Sequence, residues 1–252
     1  MRVVVVGGTG IIGRLVMSEL VDAGHLAVSA SRSGGVDVLA GTGLDPVLAG
    51  ADAVIDVVEF KATRKAAATK AFGTAARQLS AAEQRSGVGR HVLLSVVNID
   101  DPRLAGVGYY LGKLAQEAAV MAGGIPATIV RSTQWYEFPE KLMALVRLGP
   151  IALMPRELIR PVAARSVAAQ LVSAATSDQR VDRIDIAGPD EHHLPEMTRT
   201  ILARRGVRKK VLPVPFVGAA RAAATGALLP GPDAVIDPVT LDQWLATEPV
   251  LG

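Results

Sequence analysis

The chain contains no cysteine. Disulfides, thiolate nucleophiles and thiolate-held metals are therefore excluded, and the cytoplasm is the expected location. Aromatic residues are scarce, at 4% of 252 residues, although half of the chain is apolar. The apolar half is thus Ala, Val, Leu and Ile, which suits helices packed on a buried parallel sheet. Long apolar runs are missing too. Val3 to Val6 stop at Gly7 and Gly8, short of a signal-peptide core, and 211–230 is interrupted by Arg221 and by Pro and Gly. No membrane partner is expected. Charge of one sign is also lacking, with 27 basic against 24 acidic residues and a net +3. The densest basic cluster, Arg204, Arg205, Arg208, Lys209 and Lys210, suits a solvated helix end, so no nucleic-acid partner is expected. His192 and His193 form the one histidine pair and have no third ligand at a useful spacing, so no metal is expected.

What the chain does have is order in its apolar residues. The mean hydropathy is +0.33, and the length suits one α/β domain or a nucleotide-binding domain with a small appendage. Strands are expected at 3–6, 26–31, 36–40, 53–58, 91–97 and 127–131. Helices are expected from about 11 to Gly24, over 63–87 and over 109–123. Alternating strands and helices imply a doubly wound, right-handed parallel sheet of the Rossmann type. After about 132 the pattern breaks at Pro139, Pro150, Pro155 and Pro161. There the expected pieces are a helix at 166–176, a strand at 183–187, a helix at 195–205 and a small helix at 240–246. The expected division is a dinucleotide-binding domain over 1–155 and a smaller substrate lobe over 156–252.

Gly7, Gly10 and Gly13 follow the first strand directly and open a helix, in the run Gly7-Gly8-Thr9-Gly10-Ile11-Ile12-Gly13. One glycine permits the tight turn, one lets backbone approach a pyrophosphate, and one lets helix pack on strand. The helix start then offers free N–H groups to the phosphates. At the end of the second strand an NAD site would place an acid on the ribose. Here stand Ser31, Arg32 and Ser33. Arg32 can pair with a 2′-phosphate and Ser33 can add a hydrogen bond, so NADP(H) is favoured over NAD(H). Val58 ends the fourth strand and Glu59 follows it at the carboxyl edge, and their backbone is expected near the cofactor.

Tyr109 and Lys113 are four residues apart on one helix face. A tyrosine hydroxyl can give a proton to a carbonyl oxygen as hydride arrives, and a nearby ammonium would lower its pKa toward the working range. Ser95, read as the end of the fifth strand, could hold the substrate carbonyl. Trp135, Tyr136 and Phe138 follow the sixth strand and are expected to line the substrate pocket.

Residues 5–13, Leu94-Ser95-Val96-Val97, the Tyr109-to-Glu117 run, Ile129-to-Gln134, Ile186-Ala187-Gly188-Pro189 and Thr240-to-Leu245 resemble the short-chain dehydrogenase/reductase superfamily. The resemblance is to its atypical NmrA-like branch and spans nearly the whole chain. It implies bound NAD(P), a small C-terminal substrate lobe, and Tyr109, Lys113 and Ser95 as the catalytic set. Lys113 would also hold the nicotinamide ribose, and backbone at Ser132, Thr133 and Gln134 would flank the nicotinamide. The function expected is reduction of a small carbonyl or quinone-type substrate. The alternative is a catalytically weak NADP(H)-sensing protein that binds a partner protein. Oligomeric state is left open, and a homodimer is compatible with the sequence.

Overall fold

The computed structural model describes residues 1–62, 64–145 and 149–247. Arg2–Val6 forms β1, with all four valines at or below 1% exposure. Such a run is stable only when both faces are covered, each valine then contributing about 1.5–3 kcal/mol. Val3 and Val5 face a cluster with Ile12, Val16 and Leu20 of α1 (Ile11–Asp22). Val167 and Leu171 of α6 (Ala164–Thr176) complete that face. Val4 and Val6 face the other way, onto Leu44 and Leu48 of α2 (Leu44–Leu48) and Leu79 of α3 (Lys65–Ser86).

The remaining strands of the central sheet are β2 (Leu26–Ala30), β3 (Ala53–Asp56), β4 (Arg90–Val96), β5 (Ala127–Ser132), β8 (Arg183–Ala187) and β11 (Val235–Ile236). Their order is β11-β8-β5-β4-β3-β1-β2, and every pairing is parallel. All carboxyl ends therefore lie along one rim. The chain order reverses direction at β1, where β2 lies on one side and β3 on the other, and ligands of such sheets bind at that crevice. Between β4 and β5 runs α4 (Gly108–Met121), packed along α3.

The segment 36–40 is not a strand. Asp37 Oδ1 accepts hydrogen bonds from the backbone N–H of Leu39 and Ala40, which curls the chain. Gly41 and Gly43 follow at positive φ, and only a single bridge, Asp37 to Thr42, remains. The short α2 was not expected either. Gly87 ends α3 in the left-handed conformation, as its position suggests. The expected helix start at 63 lies outside the described residues.

Beyond β5 the structure is more regular than the prolines suggest. Pro139 stands at the start of α5 (Phe138–Leu145) and Pro195 at the start of α7 (Leu194–Arg204), where proline is compatible with a helix. Between them β6 (Ile151–Pro155) and β7 (Leu158–Ile159) precede α6, and β9 (His192–His193) pairs antiparallel with β7. His192 and His193 thus form a two-residue strand. β10 (Lys210–Val214) pairs with β6. The small α8 (Arg221–Ala224) and α9 (Leu241–Thr247) are the last helices among the described residues. A second core forms here from Met154, Leu194, Met197, Ile201 and Trp244.

Candidate cofactor and catalytic site

The glycine turn is built by close approach. Gly7 adopts φ +89° and its N–H donates to Ala30 O at 2.9 Å, tying the turn to the end of β2. A Cβ on Gly13 would collide with Gly7 O and come within 2.7 Å of Gly8 Cα, so only glycine lets α1 lie this close. At Gly10 a Cβ would meet only Gly7 O, at 3.2 Å. The space in front of it is open, as a pyrophosphate requires. The start of α1 has no side-chain cap and no acid in its first turn, so its N–H groups and dipole are left for an anion. Arg14 Nη1 donates to Thr9 O at 2.6 Å and braces the turn. Ile11 is exposed on the first turn of α1, whereas Ile12 turns its side chain into the core. These residues fit a dinucleotide.

Arg32 and Ser33 form a single 3-10 turn directly after β2. Ser33 Oγ lies 3.0 Å from Ser31 Oγ. The Arg32 guanidinium is exposed and has neither a hydrogen bond nor an ion pair among the described residues. A cation without a partner among the described residues thus follows the carboxyl end of β2.

The loop after β3 is held by Asp56, whose Oδ1 accepts from Val58 N–H at 2.9 Å. Asp56 is buried, and its Oδ2 accepts from Gln116 Nε2 at 2.9 Å. Gln116 Oε1 in turn accepts from Lys113 Nζ at 2.7 Å, and Lys113 also donates to Leu94 O at 2.7 Å. Lys113 is thus locked in a buried relay, 5.3 Å from the Phe72 ring centre. Burial pushes its pKa below the usual lysine value, against the opposing pull of Glu59, Asp56 and Glu117. An ammonium has three N–H donors; two are used, and the third is free for a ribose hydroxyl.

Tyr109 departs from the sequence expectation. Its hydroxyl donates to Glu59 Oε2 at 3.2 Å rather than meeting Lys113. Burial, and then the Glu59 carboxylate, push the phenol well above its usual pKa of 10. The expected lowering by Lys113 is corrected: this phenol stays protonated, as an acid rather than a phenolate. Its ring sits in an edge-to-face stack with Phe72 at 5.9 Å and Tyr110 at 5.6 Å.

Ser95 is also a correction. β4 continues past it, and the alternation of side chains turns its hydroxyl inward, 1% exposed and without a partner. In this position it does not open onto the rim where a substrate carbonyl would lie. At the end of β5, Ser132 Oγ accepts from Trp135 Nε1 at 3.1 Å, and Thr133 Oγ1 donates to Arg160 O at 2.7 Å. Both hydroxyls are engaged internally. Tyr136 is a core residue rather than a pocket wall, fully buried with its hydroxyl donating to Val239 O at 3.0 Å. Phe138 packs on the same second core, and Trp135 on the core around α1 and α6.

Sequence reading placed the backbone of Glu59 but missed its carboxylate on Tyr109. It gave Asp56 and Gln116 no role, and it passed over Glu157 entirely. Glu157 is buried between β6 and β7, and its Oε1 accepts from Gln134 Nε2 at 2.6 Å. Burial pushes its carboxyl up to about 7, against the opposing effect of Gln134. The only sequence signals were an acid inside an apolar run, Asp56, and helical spacing between Lys113 and Gln116. Among the described residues no helix is long and apolar enough to cross a membrane.

No family model matches the chain. The photosystem II assembly factor Ycf39 of Synechocystis is 32% identical over 111 residues, a match covering 38% of this chain. The chain spans about a third of that relative's length, 34%. The NADPH-dependent quinone oxidoreductase QOR2 of Escherichia coli, solved with NADPH, superposes with a TM-score of 0.75 at 13% identity, over 97% of this chain and 99% of that one. A short-chain dehydrogenase/reductase superfamily protein of Agrobacterium tumefaciens, solved with NAD, gives 0.68 at 17% identity, over 98% and 95%. Across nearly its whole length, then, this chain has the Rossmann fold of short-chain dehydrogenase/reductase structures that carry a nicotinamide dinucleotide.

Proposed function

We propose that the chain is an NADP(H)-dependent reductase of a small carbonyl or quinone-type acceptor. The observation that carries this reading is the meeting of three groups at one sheet rim: the open glycine turn, the free Arg32, and the Tyr109–Lys113 pair of α4. The central sheet with α1, α3, α4 and α6 holds the cofactor, and the second core around α5, β6, α7 and α9 shapes the substrate side, so the boundary expected at 155 does not separate the two. Backbone around Val58, Glu59 and Ser132 to Gln134 flanks the dinucleotide, and Trp135 and Phe138 border the substrate side from beneath. When bound, NADPH supplies the hydride that reduces the acceptor carbonyl carbon, leaving NADP⁺.

The protein's part is protonic and positional. Tyr109 holds one proton on its phenol oxygen and gives it to the acceptor oxygen, so a ketone leaves as an alcohol. Glu59, which accepts that O–H in the resting protein, holds the phenol on the rim and returns a proton to it from solvent. Lys113 contributes its third N–H to the ribose, while Gln116 and Asp56 keep the ammonium in place. A catalytically silent sensor needs no acid on the rim, whereas a protonated phenol stands there.

The test is NADPH oxidation against a panel of ketones, aldehydes and quinones. Turnover is expected. Tyr109→Phe should lower kcat for a ketone by about 10²–10⁴, the range of a lost general acid, with NADPH affinity near wild type. Tight NADPH binding with no turnover on any acceptor would overturn the reductase reading in favour of the sensor.

A further inference from the structure

Glu157 is a buried carboxyl with no cation beside it among the described residues. Its one side-chain hydrogen bond is the one from Gln134. An arrangement of that kind is costly, because a buried carboxylate needs more than one donor to offset its lost hydration. It sits at a telling place. Gln134 lies two residues beyond the end of β5. Tyr110, whose hydroxyl is affected by the Glu157 charge, is the neighbour of Tyr109. The carboxyl thus stands beside the segment that leaves the rim at the end of β5. The backbone holds it there, since Glu157 O accepts from Leu194 N–H at 2.9 Å. Buried side-chain oxygens without a partner include Gln134 Oε1 but not Glu157 Oε2. Oε2 thus accepts no hydrogen bond among the described residues, in a side chain that keeps 3% of its surface.

We propose that Glu157 is a specificity-determining residue that receives a hydroxyl group of a neutral acceptor through Oε2 and rejects acceptors carrying a carboxylate or phosphate. This rests on the reductase reading. A hydroxyl donates to the ionised oxygen or accepts from the protonated one, so it is served in both states. Both states coexist at neutral pH, because burial raises the carboxyl to about 7. An anionic group meets like charge at short range, where little water intervenes to screen it.

The test uses matched pairs, hydroxyacetone with pyruvate and hydroxymethyl-benzoquinone with carboxy-benzoquinone. Each is assayed at pH 8 by NADPH oxidation and, without turnover, by thermal shift of the protein saturated with NADP⁺. Wild type should favour the hydroxyl member by about tenfold or more in kcat/KM, the size of one hydrogen bond to a charged group. Glu157→Gln should erase most of that preference through KM, with kcat for the hydroxyl member little changed. Glu157→Asp, which keeps the charge, should retain the rejection of the anion. NADPH affinity reports that each variant is folded.

An unchanged preference in Glu157→Gln, in both assays, overturns the proposal while leaving the reductase reading intact. A binding preference that the Gln variant loses, with no turnover in any protein, supports the role of Glu157 and overturns the reductase reading. No preference in wild type by either assay overturns the proposal.

Discussion

Arg32 follows β2 with its guanidinium in solvent, and nothing among the described residues competes for it. Arg32→Ala should therefore cost the fold little. It should weaken NADP(H) by roughly 1.5–3 kcal/mol, the worth of a charge-assisted bond, and leave NAD(H) nearly unchanged. Calorimetric titration with both dinucleotides decides this, and equal losses would remove Arg32 as the discriminator. Glu157 gives a prediction of opposite kind, about stability. Its carboxyl is raised from 4.5 to about 7, so the folded chain keeps a proton that the unfolded chain releases in that window. Rising pH through 4.5–7 thus removes stability, in total roughly 3 kcal/mol. Urea melts at pH 5 and pH 8 should show wild type losing that much relative to Glu157→Gln. Parallel pH profiles for the two proteins would refute it. At this scale the readable residues are those whose meaning is local. Gly7, Gly10 and Gly13 are defined by spacing on one turn, and Tyr109 and Lys113 by spacing on one helix. Glu59 on Tyr109 and Gln116 on Asp56 join positions 50 and 60 apart in the chain, and no local pattern encodes such a meeting.

At the scale of elements, α3 and α4 show how a poor helix former becomes necessary. Gly112 lies inside α4, where alanine would favour the helix by about 1 kcal/mol. A Cβ there would come within 2.5 Å of the Phe72 ring and 3.2 Å of the Ala68 backbone. Overpacking of that kind costs about 1–3 kcal/mol, so Gly112→Ala should be net destabilising, by up to about 2 kcal/mol in urea unfolding. Because α4 carries Tyr109 and Lys113, the same change should also weaken cofactor binding. A more stable Gly112→Ala protein would show that α3 and α4 can part freely. Gly10→Val is the contrasting case. Its Cβ meets only Gly7 O, so the fold should lose no more than about 1 kcal/mol, while dinucleotide binding measured by calorimetry disappears. The helices with clear apolar spacing were readable in sequence to within a few residues. Residues 36–40 were not, because Asp37 folds the backbone onto its own side chain, which alternation does not register. Nor was α5, because Pro139 reads as a breaker unless its place in the first turn is known.

For the whole molecule, cofactor binding and folding are linked. A ligand at 100 times its Kd adds about 2.7 kcal/mol to stability, which for a chain of this size is roughly 5–11 °C in Tm. NADPH should produce such a shift in differential scanning fluorimetry, and NADH at the same concentration a smaller one. Equal shifts would count against the NADP(H) preference. The parallel sheet was legible up to β5, apart from 36–40, because strand and helix alternate so evenly there, whereas its last strand β11 was not expected. The second core was not, since β6 with β10 and β7 with β9 pair across long stretches of sequence. That same strand order has a consequence for how the chain is made. β2, β1, β3, β4 and β5 are neighbours, and all lie before residue 133. They can assemble while the ribosome is still at work. The β5 edge then waits for β8, which begins at Arg183. At a synthesis rate of about 5–20 residues per second that wait lasts several seconds. During it the backbone groups along β5 are without their later partners, the state in which a strand can pair with the nascent chain of a neighbouring ribosome.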